Sequence, residues 1–163
     1  MAARFWVNGT ATWNSTNIAN WAATSGSTAA GASVPSSVDT VTLDAASGGG
    51  TVTVNTTVSV QSITMGAFTG TLDFAANDNN VTLSVAFDGS GTGARTINMG
   101  DGLWTIQGSN NNAWNYTTTT NLTHNSNNST LSFIPSNATP TGAVNFVGGG
   151  QSFNVVTHSG ITN

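Results

Sequence analysis

Apolar residues separated by single polar residues recur in short runs along most of the chain. Clusters rich in Gly and Asn interrupt these runs, for example at 77–80, 100–102 and 125–129. The period of two predicts short β-strands that turn one face to a core, and the clusters predict tight turns. The predicted inward-facing sets are Val52/Val54, Val58/Val60, Ile63/Met65, Leu72/Phe74, Val81/Leu83/Val85, Ile97/Met99, Trp104/Ile106, Trp114/Tyr116, Leu131/Phe133, Val144/Phe146 and Phe153/Val155.

The succession of short strands predicts an all-β fold. Thr and Val favour strands, and the abundant Thr, Asn, Ser, Gly and Val are all poor helix formers. Two sequence similarities indicate an internal repeat. A triple glycine occurs at 48–50 and again at 148–150, and residues 71–74 are similar to residues 130–133. We therefore predict a β-solenoid that is parallel β-helix-like, with a jelly roll or β-sandwich as the alternative.

Residues 1–44 differ from the rest of the chain. Three tryptophans stand at near-regular spacing, a stretch of small residues follows, and Pro35 introduces an extended segment. We predict an irregular β-rich N-terminal cap or docking segment over 1–44, and a body of short strands over 45–163. The candidate interface or docking residues are Phe5, Trp6, Trp13 and Trp21.

A solenoid has two ends at which a strand presents unpaired backbone groups. Proteins usually protect such edges with charged side chains or with a covering segment. The tryptophan-rich segment is suited to cover one end, whereas residues 155–163 contain no charged residue and no recognisable cap. We therefore predict a homo-oligomer, with a trimer favoured, or docking on a larger assembly.

Charged residues are scarce, which narrows the function classes. The chain contains no Lys, Glu or Cys, and its formal charge of −4 comes from six Asp and two Arg. Nucleic acids and anionic membrane surfaces are bound through clustered Lys and Arg, so both partners are excluded. No apolar run is long enough for a transmembrane helix, so we predict no membrane insertion.

The ionisable residues match no catalytic arrangement. Glycoside hydrolysis needs two carboxylates about 5–10 Å apart, one of them with a raised pKa. Three of the four candidate carboxylates stand in turn sequences, where Asp commonly bonds the backbone, and Asp73 is expected to point outward between two apolar neighbours. His124 and His158 lie in polar stretches. We predict no catalytic residue and no enzyme activity; the carboxylates considered are Asp73, Asp78, Asp88 and Asp101.

Two overlapping glycine-rich patterns resemble ligand-binding loops. Residues 89–94 match the dinucleotide pattern G-x-G-x-x-A, but a strand pattern follows where that motif requires a helix. Residues 88–93 resemble half a calcium loop that lacks the closing Glu. We interpret this segment as a turn, and we predict neither a cofactor nor a metal site.

Two tryptophans in the body are candidates for stacking on a sugar ring. Trp104 and Trp114 each stand within an alternating run. The alternative interpretation, which we favour, is that these rings fill the interior, because a chain poor in Leu and Ile needs large aromatic residues for its core.

Two stretches resemble a group of tailed-bacteriophage β-rich virion structural proteins. The first is Arg4-Phe5-Trp6-Val7-Asn8-Gly9-Thr10-Ala11-Thr12-Trp13, continued by Asn20-Trp21, Ser33-Val34-Pro35 and Asp39. The second runs from Thr96 to Gly108 through Met99-Gly100-Asp101-Gly102-Leu103-Trp104, and continues at Trp114 and at 148–154.

The resemblance implies a non-enzymatic virion surface protein. Its expected role is head decoration (cement) or part of a tail fibre, with capsid or tail proteins of the same particle as partners. A carbohydrate-binding host-adhesion module that contacts a host surface glycan is the alternative. The chain lacks the apolar core of a signal peptide, so we expect synthesis in the host cytoplasm and a final position on the virion surface.

Overall fold

The chain winds into about four turns of stacked, mostly parallel β-strands, a β-solenoid. The structure is a computed structural model and describes residues 1–28, 31–108, 112–135 and 144–159. The predicted all-β solenoid is confirmed. The jelly-roll alternative is wrong, because a jelly roll pairs antiparallel strands and nearly all neighbours here run parallel.

Each turn of the solenoid contributes strands to two sheets. Two short 3-10 helices, Ile18–Asn20 and Ala45–Ser47, interrupt the N-terminal part. The five-stranded sheet contains β2 (Ala11–Trp13), β5 (Thr51–Val54), β7 (Thr71–Asp73), β9 (Arg95–Asn98) and β12 (Leu122–Asn125). The ten-stranded sheet contains β1 (Ala3–Trp6), β3 (Trp21–Ala22), β4 (Thr40–Thr42), β6 (Val58–Thr64), β8 (Val81–Asp88), β10 (Leu103–Ile106), β11 (Trp114–Asn115), β13 (Thr130–Phe133), β14 (Phe146–Val147) and β15 (Val155–His158).

Strand register places equivalent side chains above one another along the stack. In the five-stranded sheet Val52 pairs with Leu72, Leu72 with Ile97, and Ile97 with His124, so successive coils take 20, 25 and 27 residues. The alternation of apolar and polar residues sends this row into the core. An inward row of the ten-stranded sheet faces the same interior: Val58, Val81, Trp104, Leu131 and Val156.

Polar side chains stack on the outer surface with the same register. Asn125 Nδ2 donates to Asn98 Oδ1 at 2.7 Å, and Asn98 Nδ2 donates to Asp73 Oδ1 at 3.2 Å. Such a ladder satisfies the amide groups without any charge other than that of Asp73. The abundance of Asn and Thr is thus explained by stacking on parallel rungs.

One predicted inward residue faces outward because of a β-bulge. The pairing of β6 with β8 passes from Val60–Leu83 to Ser62–Ala86, so β8 has one residue more than β6 in this interval. The extra residue interrupts the alternation of β8 at Val85, which is 37% exposed, and the inward row resumes at the buried Phe87. The prediction that Val85 points inward is therefore wrong.

The last two predicted inward sets are also wrong in part. Phe146 and Val155 are 40% and 41% exposed, and Val144 and Phe153 are half-buried. Both β14 and β15 lie at the end of the stack, where no described rung covers them. In β15 it is Val156 that continues the inward row, since it pairs with the buried Leu131.

The N-terminal end of the stack is covered by the tryptophan-rich segment. The ring centroids of Trp6 and Trp13 lie 5.2 and 5.0 Å from that of Trp21, in edge-to-face geometry. Strand β3 pairs antiparallel with β1, and the Trp21 carbonyl accepts bonds from the amides of Gly31 and Ala32. The ladder continues through the expected division at residue 44, because β2 pairs with β5 and β4 pairs with β6.

A buried asparagine closes this cap. Asn20 Nδ2 donates to the Thr12 carbonyl at 2.8 Å, and Asn20 Oδ1 accepts from Asn8 Nδ2 at 2.8 Å. The carbonyl of Asn20 also accepts from the Val7 amide. The Asn20 side chain therefore supplies a hydrogen bond to the Thr12 carbonyl, on the edge of β2 that faces away from β5.

We expect Asn20→Ala to lower the free energy of unfolding by about 1–3 kcal/mol, because buried partners on Thr12 and Asn8 lose their bonds. Urea unfolding followed by tryptophan fluorescence measures this change. Asn17→Ala is the control, because the Asn17 side chain is exposed and accepts from the Ala19 amide in a short 3-10 turn. Equal losses for the two variants would contradict the proposed closing role of Asn20.

Candidate functional site

The end of the stack opposite the cap carries the strongest candidate for a functional surface. Strand β15 lies at the end of the ten-stranded sheet and pairs with β13 alone among the described strands. All four of its residues are exposed, and Val156 is 45% accessible. A flat strand edge of this kind offers a row of backbone donors and acceptors to another strand.

Apolar side chains surround this edge. Ile134 follows β13 and is exposed, and Phe146 lies on the short strand β14, which pairs with β11. We call Ile134, Phe146, Val147 and Val155–His158 the C-terminal rim. Exposed apolar side chains next to an open strand edge are typical of an interaction surface.

An aromatic cluster supports the rim from below. The ring centroid of Phe146 lies 5.6 Å from that of Phe133 and 5.1 Å from that of Phe153. The ring centroid of Phe153 in turn lies 5.7 Å from that of the buried Trp114. The exposed ring of Phe146 is therefore held in place by neighbours that belong to the core.

The rim is formally neutral. The last charged residue of the printed sequence is Asp101, so residues 102–163 contain no Asp or Arg and only two histidines. Neither Lys nor Glu occurs anywhere in the chain. The side chains that usually deter edge-to-edge association are therefore absent from residues 102–163.

The four residues predicted as an interface lie at the other end of the molecule. Trp6, Trp13 and Trp21 are buried in the cap, with at most 2% of each side chain exposed. Phe5 is half-buried on β1, between the paired residues Ala22 and Thr42. In this conformation the three indole rings act as the core of the cap and are not accessible to a partner.

Trp104 and Trp114 also lie inside the solenoid, and neither side chain is exposed. Trp104 Nε1 donates to the Met99 carbonyl at 3.1 Å, and its ring lies 4.7 Å from that of Phe74. The ring of Trp114 stacks on Phe87 at 4.4 Å. These positions agree with the core-filling interpretation, and in this conformation neither ring presents a face to a sugar.

The candidate carboxylates are engaged in structural hydrogen bonds. Asp101 accepts from the backbone and side-chain amides of Asn128, and these bonds lower the pKa of its carboxyl. Asp78 accepts from the Asp101 amide, and Asp88 accepts from Ser90 and Asn115. Within the described ranges no three His or Asp side chains cluster in a way that could hold a metal ion.

A buried arginine is the main feature that sequence reasoning missed. Arg95 is 1% exposed, and its guanidinium donates to carbonyls of two successive turns, 89–94 and 117–121. The acceptors are the carbonyls of Gly89, Gly93, Thr118 and Thr120, at 2.8–3.1 Å. Burial lowers the pKa of Arg95, and Tyr116 and Asp88 oppose this change.

The glycine-rich segment 89–94 therefore serves as a structural turn held by Arg95. A Cβ atom on Gly91 would collide with the Gly66 carbonyl, so glycine is needed for the close approach of adjacent coils. A signal for Arg95 was present, because it alternates with Ile97 and Met99 and therefore points inward.

His124 lies on β12, the end strand of the five-stranded sheet, and packs against Phe153, which contacts Phe146 of the rim. Its Nδ1 is 3.0 Å from the Tyr116 hydroxyl, and its ring centroid is 4.6 Å from that of Phe153. Nε2 is buried and has no hydrogen-bond partner among the residues that the structure describes. Burial lowers the pKa of His124 to about 4, and the backbone of Ser152 offsets only part of this shift.

We expect stability to fall on acidification between about pH 6.5 and 4, because the unfolded chain binds a proton on His124 before the folded chain does. The expected loss is about 1–2 kcal/mol, since the side chain is partly exposed and solvent screens its charge. Urea midpoints at several pH values measure it.

His124→Gln should flatten this pH dependence, because glutamine can still accept from Tyr116 but does not titrate. His158→Gln is the matched control, since His158 lies exposed on β15. Asp39 has a lowered pKa, because hydrogen bonds from Ser36 and Ala2 outweigh burial, so it contributes only at more acidic pH. An unchanged slope in His124→Gln would contradict the assignment.

Comparisons with known proteins add no relative. No protein-family model, no curated protein and no solved structure matches the chain. No helix within the described residues is long and apolar enough to cross a membrane. The class of protein is therefore defined by the fold alone: a β-solenoid with a closed N-terminal end and an exposed strand at the other.

Proposed function

We propose that this chain is a non-enzymatic structural protein of a phage particle, a head-decoration or tail-fibre component that attaches through its C-terminal rim. The observation that carries the proposal is the contrast between the two ends. Asn20 and β3 cover the first rung, whereas β15 leaves Val155–His158 exposed. The two ends of the described stack therefore differ, and the exposed end offers a neighbour a strand edge to which it can attach.

The chemistry of the open edge favours a polypeptide partner. A strand edge is satisfied by another extended strand, which supplies donors and acceptors at the spacing of the ladder. The apolar residues Ile134, Phe146 and Val156 add surface that leaves water when a partner binds. Attachment through backbone bonds and apolar contact needs none of the charges that this chain lacks.

The use of the ionisable groups supports a structural role. Arg95 joins two turns, Asp101 joins two others, and Asp39 holds the amides of Ala2 and Ser36. Each of these side chains is explained by the coil contacts that it makes. The placement on a phage particle rests on the resemblance of the N-terminal segment and of 96–108 to virion proteins.

The test is incorporation into particles. A tagged copy of the chain is expressed in its own host during particle production, and purified particles are separated on a density gradient. We expect the wild-type chain and Leu103→Lys to sediment with the particles, and Val156→Lys to be lost from them. Leu103 is a matched control because it is 42% exposed on the same sheet but away from the rim. Absence of the wild-type chain from the particles would overturn the proposal.

A further inference from the structure

We propose that the partner of the C-terminal rim is a second copy of this chain, joined tail to tail through antiparallel pairing of the two β15 strands. This inference rests on the proposed role of the rim as an attachment surface. It specifies the partner, the symmetry and the register. The resulting dimer would extend the ten-stranded sheet across a two-fold axis.

The difference between the two ends of the ten-stranded sheet argues against a head-to-tail arrangement, in which β15 of one copy would pair with the capped end of the next. The cap covers the first rung: β3 pairs with β1, and the Trp21 carbonyl accepts from Gly31 and Ala32. Among the described residues, the capped end of another copy therefore presents no strand edge in this sheet equivalent to that of β15. Among the described strands at the ends of this sheet, β15 is the longest with an unpaired edge, and two identical surfaces of this kind pair by two-fold symmetry.

Charge favours the same partner. Identical surfaces bring like charges together, which normally opposes self-association. Residues 102–163 carry no Asp, Glu, Lys or Arg, so two rims meet without this repulsion. A strongly charged partner would find no opposite charge on this half of the chain. The rim is thus suited to a neutral surface with an open strand, which is what a second copy presents.

The alternation of β15 selects the register. Val156 and His158 continue inward rows, because they pair with Leu131 and Phe133, whereas Val155 and Thr157 face outward. In antiparallel pairing, residues directly opposite each other share a face. An axis through Val156 places Val156 against Val156 of the second copy and Val155 against its Thr157. This register buries the inward-row valines, which are 45% exposed in one copy alone.

Light scattering of the purified chain tests the stoichiometry. We expect about twice the chain mass of 16.5 kDa at micromolar concentration, and a return to the single-chain mass for Val156→Lys. Leu103→Lys introduces the same charge away from the rim and should remain dimeric. A single-chain mass, or the threefold mass expected from the sequence, would overturn the two-fold dimer.

A cysteine variant tests the register. The natural chain contains no Cys, so Val156→Cys can form a disulfide only between two chains. Opposite Cα atoms in an antiparallel pair lie about 4.5–5.5 Å apart, within the disulfide range. We expect mild oxidation to cross-link Val156→Cys at least about tenfold faster than Leu103→Cys, because pairing raises the local thiol concentration. Equal rates would overturn the register.

The two proposals fail in different ways. If the wild-type chain is a monomer but Val156→Lys still prevents incorporation into particles, the dimer is wrong and the attachment role stands. If the chain is a dimer that cross-links through position 156 but does not sediment with particles, the virion role is wrong and the dimer stands.

Discussion

Replacing Arg95 with Met is expected to lower the free energy of unfolding by about 3–5 kcal/mol, the largest electrostatic effect in this protein. The guanidinium donates to four carbonyls in two successive turns. Methionine fills a similar volume but leaves those carbonyls without these donors in a buried corner, and each unsatisfied group costs free energy. Such a loss is a large fraction of the stability of a small protein. Urea unfolding followed by circular dichroism measures it.

The second arginine of the chain provides a matched control. Arg4 bonds the carbonyl and hydroxyl of Ser33 at the surface and lies 4.0 Å from Asp39. Arg4→Met should cost less than about 1 kcal/mol, because exposed ion pairs and hydrogen bonds contribute little. Arg95→Lys should recover only part of the loss, since one ammonium cannot reach both turns in the way that the planar guanidinium does. Similar losses for Arg95→Met and Arg4→Met would contradict this role.

Trp104→Ala is expected to destabilise the fold by about 3–5 kcal/mol, because it opens a cavity in the middle of the stack. Trp104 lies on the third rung of an inward row, between Val81 and Leu131. Its ring contacts Phe74, Phe87 and Trp114 at centroid distances of 4.7, 5.8 and 5.9 Å. The expected signature is a lower urea midpoint with no change in the slope of the transition.

The neighbouring Leu103 is the control for this prediction. It lies one residue away on the same strand and faces outward. Leu103→Ala should change stability by less than about 0.5–1 kcal/mol, as is usual for surface positions. Trp104→Phe should fall between the two, because it keeps an aromatic ring but loses the bond to the Met99 carbonyl. If Trp104→Ala left stability unchanged, the ring would be free for another role, such as stacking on a sugar.

The fold class was predictable because the alternation of apolar and polar residues is visible within each short strand and does not depend on which strands pair. Ten of the predicted inward residues between 52 and 83, from Val52 to Leu83, are buried in the structure. A period of two and abundant Thr, Val and Asn are sufficient to indicate strands, turns and stacking. The first 44 residues could also be distinguished from the remainder, because their composition differs and they contain three tryptophans at near-regular spacing.

The internal repeat was predicted from similar sequence segments, but two of these segments do not occupy equivalent positions in the solenoid. Residues 71–73 form β7 in the five-stranded sheet, whereas the similar residues 130–133 form β13 in the ten-stranded sheet. The true equivalences join Val58, Val81 and Trp104, whose side chains differ in size. Coils of unequal length hide such equivalences, since no fixed period superimposes them.

The candidate site was predicted in outline and not in detail. The absence of charge in 155–163 predicted that this segment is not protected by charged side chains, and the described residues of β15 are exposed. That Val156 faces inward and Val155 outward, and that Phe146 is exposed beside them, depends on pairing with distant strands. The sequence pattern placed Val155 inward because nothing local distinguishes two successive valines.

The sequence by itself determined that this chain forms stacked β-strands and that residues 102–163 carry no Asp, Glu, Lys or Arg. Alternation and turn residues act between near neighbours in the chain, and charge is a sum over its residues, so neither depends on the tertiary structure. The tertiary structure alone decided which residues lie above one another, how the bulge turns Val85 outward, and how Arg95 joins two turns. These features arise from backbone pairing between residues 20 or more positions apart, where coil length and register set the contacts. The open edge of β15 belongs to this second group, because a strand is an edge only in relation to its neighbours.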